Sequence, residues 1–188
     1  MNKIDKRSAL GAMVGTAIPL VCIMKSRKIY NPIKLDYKIK DMLILSGSSI
    51  AGGTIGGMIN EDKKSRHKKI KEGTFQLLNV SLPAIFTAGA LKICEKTKNL
   101  NRIIPKIGAV ILGIGAGMYS ALKLSNFIFD PKDKHPDREL SPKDFIASAD
   151  DAIGALALAK FPIVNKVPAD KILPVIYSYC GYRAGKTN

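Results

Sequence analysis

The chain has 188 residues, 46% of them hydrophobic, with 30 Lys and Arg against 15 Asp and Glu and a formal net charge of +15. The length fits one domain, and a single membrane domain over residues 1–188 is expected. Charge falls in blocks between long apolar stretches, which argues against a soluble fold, where every helix keeps a wet face. The basic blocks flank the apolar runs, so they point to a bilayer with anionic headgroups, and no nucleic acid is expected as a partner.

The first apolar run, 8–24, follows a basic N-tail and so looks like a signal peptide. No small-x-small cleavage site follows, and the run ends in Lys25, Ser26, Arg27 and Lys28. Leu20 and Val21 precede Cys22, which argues against lipid attachment there. The run is read as an uncleaved first span, about 25 Å long at 1.5 Å per residue. Residues 33–40 alternate apolar and polar without a second run to pair with, and an extended or interfacial segment is expected.

Further runs at 42–60, 74–94 and 107–129 have the length to cross a bilayer, and in lipid each is expected to be helical. The third contains Pro83 and Lys92, the fourth Lys123. The charged stretch 60–73 is read as a loop between the second and third spans. The mixed-charge stretch 130–142, with three prolines, is read as a solvated connector or a docking loop.

A C-terminal helical region, 142–182, completes the plan. Ser141 suits an N-cap, Pro142 the first helical position and Asp144 the positive end of the dipole. Residues 172–180 are too few to cross and are expected to be interfacial, re-entrant or packed on the bundle, with Asp170 and Gly181 as end caps. Tyr30, Tyr37, Tyr177, Tyr179 and Tyr182 lie outside the long apolar runs, where an interface suits their amphipathic rings. The expected fold class is therefore all-α: a multi-pass membrane helix bundle of about four Gly-rich transmembrane helices plus this C-terminal region.

Charge asymmetry selects an orientation. With four spans, the N-tail, the 63–71 stretch and everything from Lys132 onward share one side, with 18 Lys and Arg; the other side holds 10. The positive-inside rule then places both termini in the cytoplasm and the protein in the cell membrane. A fifth crossing near Val164 would erase the bias.

Small residues recur every four positions. Gly11 and Gly15 do so in the first run; Ser49, Gly53 and Gly57, and beside them Ser48, Gly52 and Gly56, in the second; Ala109, Gly113, Gly117 and Ala121 in the fourth. A four-residue step keeps one helix face, and glycine there admits a second backbone, as in a glycine zipper. This supports packing within one chain or a surface for a homo-oligomer or a membrane-protein partner. In outline the plan resembles the channel subunits of mitochondrial protein-import translocases. The 60–73 stretch departs from that family's charged signature, and no relationship is drawn.

Asp150 and Asp151 sit among small apolar residues, and a carboxylate at mid-bilayer costs about 2.5–3.5 kcal/mol. They are read as ion-pair or pathway candidates, with Lys123 the expected partner across an antiparallel helix pair. Cys22, Cys94 and Cys180 are far apart, and His67 and His135 have no Cys or His at ligand spacing, so no metal site, and no cofactor, is expected. Three functions follow in order: a structural or interaction component; a small transporter or channel component using Asp150 and Asp151; and a membrane-surface enzyme, for which no catalytic motif is present.

Overall fold

A computed structural model describes residues 3–132, 134, 136–142, 144 and 172–186. Among these residues the chain is all-helical: α1 (Lys3–Ser26), a 3₁₀ turn (Pro32–Lys34), α2 (Ile39–Met58), α3 (Lys63–Lys96), α4 (Ile103–Phe129) and α5 (Leu173–Gly185). Three of the helices, α1, α3 and α4, are long and apolar enough to cross a membrane. The remaining long helix, α2, is not among them: it has 20 residues, with Lys40 and Asp41 in its first turn and many glycines and serines after them.

The chain divides into two compact units, Met1–Leu77 with Asp170–Asn188, and Leu78–Ala169. In the first unit α1, α2 and α5 pack together. Past the end of α1, Lys28 lies in the left-handed region at φ 55°, with Ile29 N–H returning to the Met24 carbonyl at 3.0 Å. Glycine is the usual residue at such a position. The 33–40 segment is partly extended, as expected, but it opens with the 3₁₀ turn and already enters α2 at Ile39. Asn31 accepts from Ile33 N–H at 2.9 Å and so caps the turn.

Residues 63–71 are not a loop. α3 begins at Lys63 and runs for 34 residues, about 51 Å. Lys, Arg, Gln and Glu are good helix formers, and neither Gly nor Pro interrupts 63–72, so a solvated stretch of charge continues the apolar helix. Asp62 stands at its start and accepts from Ser65 N–H at 3.1 Å. That bond and the others around Ser65 hold the exposed Asp62 carboxyl below its usual range.

Gly181 does not cap a helix. α5 continues through it to Gly185, no glycine adopts a positive φ among the described residues, and Ile172 takes the N-cap position. Asp170 lies outside the described residues. The missing side chain at Gly181 serves close packing instead, as the next subsection describes. Tyr177 is 1% exposed, so its ring packs against protein within the first unit.

Candidate functional site

α1 is built inside out by the standard of a water-soluble protein. Its buried residues are the small ones, Ser8, Ala12 and Thr16. Its large apolar residues face outward: Leu10, Met13, Ile18 and Val21 are each 60–64% exposed. α4 repeats the pattern in part: it buries Gly113, Gly117 and Ala121 along with Val110 and Met118, while Ile111 and Leu112 are 65% and 73% exposed.

α2 carries two small-residue faces, one for each neighbour. Along the first, a Cβ on Gly52 would overlap the Gly11 carbonyl, and one on Gly56 the Arg7 carbonyl. From the α1 side, Gly11 meets the Gly52 carbonyl and Gly15 the Ser48 carbonyl. Along the second, Gly53 meets the Gly181 carbonyl and Gly57 the Gly185 carbonyl. Each four-residue row thus opposes a row on the partner, and in both contacts backbone meets backbone.

Buried hydroxyls join the same three helices. Ser49 Oγ bonds the Tyr177 carbonyl of α5 at 2.7 Å and lies 3.3 Å from the Ala12 carbonyl of α1. Ser8 Oγ donates to the Tyr182 carbonyl at 2.9 Å, and Ser178 Oγ reaches Thr16 Oγ1 at 3.0 Å. Such bonds supply attraction where the surroundings give helices no hydrophobic drive to associate.

Charged side chains hold the turns. Arg27, one residue beyond α1, pairs with Asp41 at 2.5 Å and donates to the Asp36 carbonyl at 2.8 Å. Asp41 also accepts from Lys38 N–H at 2.8 Å, so one buried carboxylate ties the α1–α2 connection to the first turn of α2. Between α2 and α3, Lys69 is buried and donates to the Gly57 carbonyl at 2.7 Å, with Glu61 at 3.6 Å. A cation there meets the negative end of the α2 dipole.

In the second unit, Gly113 lies against Thr87 and Gly117 against Pro83, so α4 crosses α3 where α3 carries its proline. Leu91, Val110 and Ile114 pack beside them. The connector after α4 is bound at Arg138, Ser141 and Asp144. Asp144, 0% exposed, takes Nη1 and Nη2 of Arg138 at 3.1 Å each, and the N–H and hydroxyl of Ser141 at 2.8 Å each. Asn126 exchanges two 3.2 Å bonds with the Arg138 backbone. Burial pushes the Asp144 carboxyl up, but the bonds from Arg138 and Ser141 outweigh it and hold the group below its usual range.

Of the charged residues singled out from sequence, Asp150 and Asp151 lie outside the described residues. Lys123 is half exposed and stands 3.5 Å from Asp137, itself about half exposed. Cys22 is exposed, whereas Cys94 and Cys180 are buried. Asp41, Arg27 and Arg138 were missed by sequence reasoning; each sits in a loop or a first turn, where no spacing announces a partner. No family model matches the chain, and comparison with curated proteins and with solved structures found no match.

Proposed function

We propose that this chain is an integral protein of the cell membrane with a structural or interaction role, built on small-residue helix contacts. The carrying observation is the inversion in α1, repeated in part in α4. Small residues are buried and large apolar residues are exposed, which suits lipid as the surrounding solvent and would be costly in water.

Four spans fit this reading better than three. α2 has 10 of its 20 residues buried, against 3 of 24 in α1. A helix lined on two sides by other helices crosses without a broad apolar surface, because its small polar residues face protein. α5, 13 residues and about 20 Å long, is too short to span and packs along the bundle instead.

Orientation follows from charge. The start of α1, the end of α2 and the end of α5 lie at the same end of the first unit, since Arg7 reaches the Ile59 carbonyl and Gly57 meets Gly185. The basic N-tail, the 63–71 stretch and Arg183 with Lys186 therefore gather together, which supports a cytoplasmic placement for that end and for both termini. Reporter fusions test it: Asn188 and Asn60 report the cytoplasm and Leu100 the opposite side. A cytoplasmic signal at Leu100 contradicts the four-span reading.

A further inference from the structure

We infer that the furrow between α2 and the first turns of α3 holds one acyl chain of an anionic phospholipid, with the lipid phosphate against Lys63 and Arg66. The inference rests on the membrane reading above and adds to it a defined lipid site.

The furrow measures about 200 Å³ and runs between Gly47, Ala51 and Ile55 of α2 and Ile70, Gly73 and Leu77 of α3. Two glycines make its hollow. A Cβ on Gly73 would stand 2.5 Å from the Thr54 hydroxyl, and one on Gly47 would touch Leu77 at 3.6 Å. Its rim is apolar and open, with Ile55 60% and Leu77 41% exposed. Two threonines, Thr54 and Thr74, stand among otherwise aliphatic and glycine walls, and Thr54 Oγ1 is buried, so most of the lining offers contact to a hydrocarbon chain.

Helical geometry supplies the other half of the site. The α3 residues lining the furrow form a stripe through 77, 73–74 and 70, and at 3.6 residues per turn that stripe continues through Arg66 and Lys63. Both are exposed, and neither has a salt bridge among the described residues. Lys69, in the same basic stretch, is instead committed inward to Gly57 and Glu61. Two uncommitted cations thus stand at the end of an apolar furrow, beside the positive end of the α3 dipole, which matches a phosphate on an acyl tail. A second copy of the chain fits worse. It would bring another basic protein, of net charge +15, against an already basic end.

Native mass spectrometry of the full chain, ejected from nanodiscs of equal phosphatidylglycerol and phosphatidylcholine, tests the site. The expected result is retained phosphatidylglycerol, preferred roughly tenfold over phosphatidylcholine. Lys63→Gln with Arg66→Gln brings that preference to near parity, and Ala51→Phe, on the exposed side of α2, reduces retention of both lipids. Equal retention of the two lipids by the unaltered chain overturns the inference, as does an unchanged preference in the double variant. A dimer peak lost in Ala51→Phe assigns the furrow to a second copy and overturns it too. Carbonate extraction of membranes from expressing cells separates the two readings: a chain that stays in the pellet without lipid preference loses only the site, whereas a chain released as soluble protein loses both.

Discussion

Gly53 of α2 and Gly181 of α5 touch through their backbones: a Cβ on Gly53 would overlap the Gly181 carbonyl, and a Cβ on Gly181 would overlap the Ser49 carbonyl. No side-chain rotation relieves such a clash, because both obstructing groups are main chain. Gly53→Leu is therefore expected to cost about 3 kcal/mol, the upper end for overpacking. Gly115→Leu, where nothing lies within 4 Å, is expected to leave stability unchanged. Thermal unfolding of both variants in detergent is the measurement. Equal melting temperatures would mean that the α2–α5 contact does not form.

Ser49 lies in the same contact and tests its polar part. Its hydroxyl bonds the Tyr177 carbonyl at 2.7 Å in a fully buried position. Ser49→Ala removes the donor without adding bulk and should cost about 1 kcal/mol. A loss as large as that of Gly53→Leu would show that the hydroxyl, rather than close approach, dominates the packing.

How much of this was readable from sequence depends on the range of each interaction. The four-residue rows at Gly11, Gly15, Gly53, Gly57, Gly113 and Gly117 are local and periodic, so they stand out in the sequence. Which helix each row meets is a tertiary fact: α2 carries two adjacent rows, and nothing local assigns one to α1 and the other to α5. Gly181 shows the ambiguity from the other side, since a glycine near a helix end reads equally as a cap or as a contact. The Ser141–Asp144 contact was readable because it spans three residues, whereas Arg138 reaches Asp144 from farther along the connector. The 63–71 stretch misled because charge density resembles a loop until helix propensity is weighed.

The Arg138–Asp144 pair gives a pH signature. Asp144 titrates below its usual range in the folded protein, because the Arg138 and Ser141 bonds outweigh its burial. A carboxyl lowered in this way contributes stability that is fully present above its unfolded pKa, near 3.9, and lost as pH falls through the folded value. The melting temperature should therefore decline below about pH 4, and Asp144→Asn should flatten that part of the decline. At neutral pH the same change breaks a buried pair and should cost about 3 kcal/mol. An acid slope identical in the variant would show that other carboxylates carry it.

Lys123 and Asp137 are both about half exposed, and pairs of that kind contribute between zero and about 1 kcal/mol. Lys123→Ala should therefore change detergent stability little. Asp151→Ala and the double variant complete a cycle for the partner expected from sequence. A large loss in Lys123→Ala that shrinks in the Asp151→Ala background would assign Lys123 to Asp151 instead of Asp137.

Alkaline carbonate extraction of membranes from expressing cells bears on the whole structure at once. Helices that expose Leu10, Ile18, Val21, Ile111 and Leu112 while burying glycine and serine are compatible with hydrocarbon around them. The chain is predicted to remain in the membrane pellet at high pH and to leave it only in detergent. Recovery in the soluble fraction without detergent would contradict the membrane assignment and every span drawn from it.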